Sequence, residues 1–226
     1  MCGRIVNRMQ PGYLREKFDE AKAAEILEEP GLLPRFNLAP TEFLPGIRLD
    51  EQDDETWDVF RWGLIPRWAK PDRIPDKTFN ARSETMAEKP TFRDAWKKRR
   101  CILPVSGYYE WTGEPGDKQP FFFHRSDESP LILAGLWETW KHGDNVVDSC
   151  TVITRPSSGI LSSYHHRMPV FLNPDNVMTW LKGPESAAQA MIDHDETDGI
   201  DVFPVSREVN NFRNDYASLI EPIAED

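Results

Sequence analysis

The sequence predicts an α+β protein built mainly from antiparallel strands, and three observations predict it. From 101 to 155 the runs CILPVSGYYEW, PFFFHR, LILAGLWETW and SCTVITR are apolar or aromatic and are split by Gly, Pro and charged turns, as successive strands are. Helical periodicity is confined to 11–27, 84–100 and 174–194. Strand and helix signals do not alternate, which disfavours a doubly wound parallel sheet.

Each element has its own local reason. In 11–27, Leu14, Phe18 and Ala21 fall on one face of a helix and charged residues cover the rest. Residues 42–62 read as strand, acidic turn, strand. Residues 63–83 hold Pro66, Pro71 and Pro75 and predict a long irregular loop, a type of segment that often carries function. The 84–100 helix ends in Lys97, Lys98, Arg99 and Arg100. Cations there complement the helix dipole, a simpler account than a nucleic-acid patch. MPVFL at 168–172 is a further short strand. Residues 174–194 predict one or two helices with Val177, Trp180 and Leu181 as the apolar stripe. The chain shows no internal repeat and no low-complexity linker, so 1–226 is expected as one domain.

Composition bounds the function. The 226 residues are 39% hydrophobic and 29% charged, a globular balance. No apolar run approaches the ~20 residues of a membrane span. The start MCGRIVNRMQPGYL has no apolar signal region, so a cytoplasmic or nucleoid location and reduced thiols are expected. The three cysteines show no Cys-x-x-Cys spacing, and neither a metal nor a cofactor is expected. Cys101 and Cys150 lie in apolar runs and read as core. The net charge is −11, which by itself opposes nucleic-acid binding. Acid is concentrated in the runs 51–55, 193–201 and 221–226. Arg4, Arg35, Arg61, Arg67, Arg82 and Arg167 lie elsewhere, which leaves room for a small basic groove on an acidic body.

Cys2 carries the sharpest chemistry. Removal of Met1 leaves an α-amine and a thiol on adjacent carbons. Their ordinary pKa values, about 7.7–8.0 and about 8.5, leave both partly nucleophilic near neutrality. Such a 1,2-aminothiol condenses with an aldehyde to an imine, and the sulfur then closes a five-membered thiazolidine. An internal cysteine cannot do this. Taken alone, a cysteine at position 2 reads more simply as an accident of a frayed terminus.

Further motifs change that balance. M-C-G-R at the start is joined by N-A-R-S-E at 80–84, G-Y-Y-E-W at 107–111 and H-H-R-M-P at 165–169, with R-F-N-L-A-P at 35–40, W-G-L-I-P-R-W at 62–68 and V-S-R-E-V-N-N at 205–211. In this order the motifs resemble the SOS response-associated peptidase (SRAP) family across nearly the whole chain. The resemblance implies a mainly antiparallel β pseudo-barrel with flanking helices. It also implies binding of single-stranded DNA, trapping of abasic sites as a thiazolidine on Cys2, and an autoproteolytic activity that exposes Cys2.

The resemblance also assigns roles. Cys2 is the crosslinking residue. Asn80 orients the Cys2 amine or the sugar, where otherwise it would satisfy a loop backbone. Glu110, between Tyr109 and Trp111, is a general acid/base with a pKa raised by desolvation. Read without the family, it is as readily an outward-facing strand residue. His165 supplies the proton transfer that opens the abasic sugar. The neighbouring His166 stands where the family often has an acidic residue. Arg4, Arg82 and Arg167 are expected on DNA phosphates, with a surface ion pair as the alternative for each. Trp68 is expected to stack on or wedge beside an unpaired base, whereas Trp62 suits the core. The family often places a second aromatic after Trp68; here it is Ala69. Asn37 and Pro40 are expected to shape the same cleft. The partner is single-stranded DNA bearing abasic sites, without a membrane, and the protein is expected to be a monomer.

Two other chemistries fit parts of the pattern. An N-terminal nucleophile amidotransferase can also begin Met-Cys-Gly, but the Asn-Gly element expected of that class has no counterpart here, since the chain contains no Asn-Gly dipeptide. An ordinary cysteine peptidase would need only Cys2 and His165. A binding module without chemistry is the third possibility.

Overall fold

The computed structural model describes residues 2–8, 25–26, 28–29, 31–194 and 196–223. The helix expected over 11–27 lies outside the described residues except at 25–26, which are helical. Twelve strands form two sheets. β1 (Ile5–Asn7), β2 (Arg35–Leu38), β7 (Gly107–Thr112), β8 (Gln119–Arg125) and β12 (Ile200–Pro204) make a five-stranded sheet in the order β12-β8-β7-β1-β2, antiparallel throughout.

The second sheet holds β3 (Phe43–Leu49), β4 (Glu55–Trp62), β5 (Asn80–Arg82), β6 (Arg100–Val105), β9 (Leu131–His142), β10 (Asn145–Pro156) and β11 (Arg167–Pro169). Its path runs β11-β10-β4-β3-β6-β9, and β9 pairs back onto β10. That last pairing closes β10, β4, β3, β6 and β9 into a ring, the expected pseudo-barrel. β10 is twelve residues long, which lets it serve successive partners. It pairs with β9 first, then in parallel with β4 and β5, and finally antiparallel with β11.

Alternation along the ring strands sets the layers. On β6, Cys101, Leu103 and Val105 face one apolar cluster and Ile102 faces another. The first cluster fills the ring and the seam with the five-stranded sheet, and includes Phe60, Trp62, Tyr108, Phe123, Cys150 and Cys2. The second lies under the helices α1 (Arg93–Lys98), α2 (Val177–Lys182) and α3 (Glu185–Asp193). Val177, Trp180 and Leu181 are buried as expected, and the Trp180 indole donates to the Cys101 carbonyl at 2.9 Å.

The segment 84–100 departs from expectation. Only Arg93–Lys98 is α-helical, and 83–92 is a series of turns. Lys97 and Lys98 do occupy its last turn. Arg99 and Arg100 have left the helix and are buried. Arg99 pairs with Glu138 at 2.8 Å, and Arg100 donates to the carbonyls of Trp96, Trp180 and Gly183, tying the ends of α1 and α2 to the ring. Among the described residues no helix is long and apolar enough to cross a membrane.

Candidate active site

The site is assembled at the seam between the two sheets. β1 runs beside β7 in the five-stranded sheet, with Ile5 opposite Tyr108, so the residues just before β1 lie alongside the start of β7. Gly107 begins β7 because nothing larger fits: a Cβ there would stand 2.5 Å from the Phe122 ring and from the Phe123 carbonyl oxygen. On β7, Tyr109 turns to a third apolar cluster with Val6, Phe122 and Val205, while Tyr108 and Glu110 share the opposite face. Glu110 is therefore buried, and the outward-facing reading of it fails.

Cys2 is fully buried. Its carbonyl accepts a 2.7 Å hydrogen bond from the Asn80 side-chain amide. Asn80 reaches it from β5, whose parallel pairing places Asn80 opposite Val152. Burial pushes the Cys2 thiol well above the ordinary thiol range, and the Glu110 charge pushes it further, against a backbone hydrogen bond from Arg4. The thiol is thus held protonated at neutral pH in this form, contrary to the expectation of a partly ionised sulfur. The low-dielectric seam is the reason.

His165 sits after the short turn Gly159–Ser163, with its Nδ1 3.9 Å from Glu110 Oε1. Nδ1 also lies 3.0 Å from both the backbone N–H and the carbonyl of Arg167. The His165 carbonyl accepts from Ser157 Oγ at 2.5 Å, and Thr112 Oγ1 donates to the Tyr164 carbonyl at 2.8 Å, so the loop is fixed from two sides. Burial raises the Glu110 pKa from 4.5 and lowers that of His165 from 6.5. The exposed Lys118 amine favours the charged carboxylate and the neutral ring, so it opposes the upward shift of Glu110 and reinforces the downward shift of His165. His166 is exposed, with its ring centroid 4.3 Å from that of His165, and the charge of His165 lowers its pKa. Among the described residues no group of three or more His, Cys, Asp or Glu could hold a metal ion.

Cys2, Asn80, Glu110 and His165 are thus brought together. The expected DNA contacts are not brought together with them as a set. Arg4 is half-buried and its Nη1 is engaged within the protein, donating to Asn37 Oδ1 at 2.7 Å and to the Val209 carbonyl at 2.8 Å. Asn37 is buried, and its amide donates to the carbonyls of Val209, Asn211 and Asn214. Both residues secure the C-terminal segment to β2. Asp215 completes this fastening by accepting from the backbone of Phe36 and Asn37 and from the Arg35 guanidinium. Pro40 lies half-buried in the turn between β2 and β3. Arg167 is buried against Glu84 and Thr154.

Arg82 and Trp68 remain outward. Arg82 is exposed at the end of β5, and Trp68 is 63% exposed. Ala69 explains the posture of Trp68. It is buried under Trp140, whose indole donates to the Ala69 carbonyl at 2.8 Å, and this fixes the neighbouring indole toward solvent. Cys101 and Cys150 are buried and unbridged, as core residues. Glu84, Thr112, Lys118 and Ser157 were not singled out from the sequence. Glu84 alone had a signal there, as the last residue of N-A-R-S-E.

A closed β ring joined to a second sheet, with Cys2, a buried carboxyl, an imidazole and an amide at the seam, defines a cysteine-centred acid/base site. The sequence profile of the SOS response associated peptidase (SRAP) family matches residues 1–212, and the chain belongs to that family. Abasic site processing protein YoqW of Bacillus subtilis is 32% identical, over 98% of this chain and 99% of its own. YedK of Escherichia coli, which carries the same description, is 31% identical over 99% and 100%. HMCES of Gallus gallus is 30% identical over 99% of this chain and 78% of its own. A crystal structure of a Bordetella bronchiseptica protein superposes with a TM-score of 0.77 at 26% identity, covering 91% of this chain and all of that one.

Proposed function

We propose that this protein processes abasic sites in DNA, and that it does so by trapping them in single strands as a thiazolidine on Cys2 after Met1 is removed. The relatives described as abasic site processing proteins, matched over nearly their full length in the bacterial cases, support the substrate. The chemistry rests on one observation above all: Asn80, Glu110 and His165 converge on the residue that would carry both nucleophiles.

Proton transfer at the closed hemiacetal opens the sugar and presents its C1′ aldehyde, a task for His165 or Glu110. The Cys2 amine adds to the carbonyl carbon, and loss of one water gives the imine. Protonation of the departing hydroxyl suits a carboxyl whose pKa is raised. The thiol then adds across C=N, its sulfur bonding to carbon and its proton passing to nitrogen. Asn80, gripping the Cys2 carbonyl, holds the residue so that amine and sulfur face one carbon. A protonated thiol is tolerable here because the imine is the stronger electrophile, and sulfur needs to lose its proton only as it attacks.

The charge around the sulfur weighs against an ordinary cysteine peptidase. A thiolate–imidazolium pair needs a cation against sulfur. Here the charge acting most strongly on Cys2 is the Glu110 carboxylate, which disfavours the thiolate. Single-stranded DNA with one abasic site should give an adduct that survives denaturing electrophoresis, and Cys2→Ala or acetylation of the terminal amine should abolish it. Equal adduct formation with undamaged strands, or an undiminished adduct after acetylation, overturns the thiazolidine.

A further inference from the structure

The reaction just described leaves one built feature unused. Arg167 and Glu84 form a two-pronged ion pair, Nη1 to Oε1 at 2.6 Å and Nη2 to Oε2 at 2.9 Å. Two oxygens of a phosphodiester match the same guanidinium fork. The inner side of the guanidinium is anchored independently. Nη2 donates to the Thr154 carbonyl at 2.6 Å, and Nε and Nη2 both lie 3.3 Å from Thr154 Oγ1. The Arg167 side chain is only 7% exposed, whereas that of Glu84 is 45% exposed. Solvent therefore reaches the pair on its carboxylate side.

The pair is also linked to the reacting residues through β5, β10 and β11. Thr154 is opposite Arg82 in the β5–β10 register, and Arg82 is exposed. β5 carries Asn80, which holds Cys2, and the Arg167 backbone flanks His165 Nδ1. A strand laid across Arg82 with its lesion at residue 2 would bring a phosphate to this carboxylate.

We propose that Glu84 is a resident carboxylate in a phosphodiester site: a bound strand displaces it, and Arg167, beside Arg82, takes the phosphate next to the lesion. This rests on the single-stranded DNA reading above. The exchange leaves the guanidinium anchored on Thr154, so the backbone contacts to His165 survive it. Arg167 holds the Glu84 carboxyl down at about 2, so Glu84 does not leave by protonation near neutrality and only another anion displaces it. The consequence is selectivity. Intact strands bind against a resident acid and are held weakly, whereas a strand carrying an aldehyde is retained by its covalent bond.

The test is Glu84→Gln, read as binding of an undamaged single-stranded oligonucleotide by fluorescence anisotropy across a salt series. Affinity should rise roughly two- to fivefold near 0.1 M salt, the size of one partly exposed ion pair lost as a competitor. The slope of log K against log salt should steepen by about 0.7, since no freed carboxylate takes up the cation that the phosphate releases. Glu84→Asp keeps the charge and should keep the wild-type slope. A folded Glu84→Gln protein that binds no more tightly than wild type overturns the proposal. In wild-type protein the Arg167 Nε–H resonance should move when the oligonucleotide is added. A resonance that stays in place overturns it whether or not Glu84→Gln folds. Wild-type protein that crosslinks abasic strands while Glu84→Gln changes nothing sinks the resident-acid idea and spares the crosslinking reaction. Wild-type protein that binds no single strand removes both.

Discussion

Glu110 and His165 are shifted toward each other by the same cause. Desolvation disfavours the charged form of each, which raises a carboxyl from 4.5 and lowers an imidazole from 6.5. Nδ1 and Oε1 are 3.9 Å apart, so the two form a pair able to hold and pass a proton in mildly acidic to neutral solution. The profile of crosslinking rate against pH should therefore show one inflection above the ordinary carboxyl value and one below the ordinary imidazole value, and Glu110→Gln should remove one of the two. A stability effect accompanies this. A carboxyl whose folded pKa is raised contributes its full stability below the unfolded value, and loses it as pH rises through the folded value. At pH 7 Glu110 is therefore a cost to the fold. Glu110→Gln should slow crosslinking yet raise Tm at pH 7, and the gain should vanish by pH 4, where both states are protonated. A Tm that falls equally at both pH values would show that Glu110 is structural.

At the scale of elements, the fastening of the C-terminal segment is the clearest reassignment. Asn37 donates to three carbonyls of that segment and accepts from Arg4, so one side chain links β2, the residues before β1 and the stretch 209–214. Buried carbonyls left without a donor are costly. Asn37→Ala should lower stability by about 2–4 kcal/mol in denaturant titrations. It should leave the salt dependence of DNA binding unchanged, because no phosphate contact is lost. A shallower salt slope in a still-folded Asn37→Ala protein would return Asn37 to the binding surface. The Pro-rich segment 63–79 works differently. It is pinned within its first half by Trp140 on Ala69, and that anchorage presents Trp68 outward without a second aromatic beside it.

Across the whole molecule, an overall charge of −11 must be reconciled with a polyanionic partner. Among the described residues, Arg82 at the end of β5 and Lys118 on the β7–β8 hairpin are exposed cations beside the seam. Binding should therefore be weak and shallow in its salt dependence. Arg82→Gln should reduce the log–log slope by about 0.7, as expected for one phosphate contact to a single strand. Trp68→Ala should cost about 1–3 kcal/mol with damaged and intact strands alike, because stacking reads no lesion. Loss confined to the abasic strand would instead give Trp68 a role at the reacting sugar.

Much of this was already determined by the chain itself. The β character of 101–155, the hairpin of 43–62 and the buried stripe Val177, Trp180 and Leu181 follow from local pattern, because side-chain period and turn chemistry act over a few residues. The convergence of Cys2, Asn80, Glu110 and His165 was legible only through motif order, since no local rule joins residues separated by 78 positions. β12 could not be read from local pattern, since it begins inside the acidic run 193–201: its pairing with β8 along five residues defines it. The arginines show the same limit. Whether Arg4, Arg82 and Arg167 face phosphate or protein depends on which carboxylates and carbonyls the fold brings within 3 Å, and only the tertiary structure decides that. It spends Arg4 on the C-terminal segment, sets Arg167 against Glu84 and leaves Arg82 to solvent. Sequence thus specified the reactive groups, and packing chose their charge states and their partners, because both depend on desolvation and contacts made far along the chain.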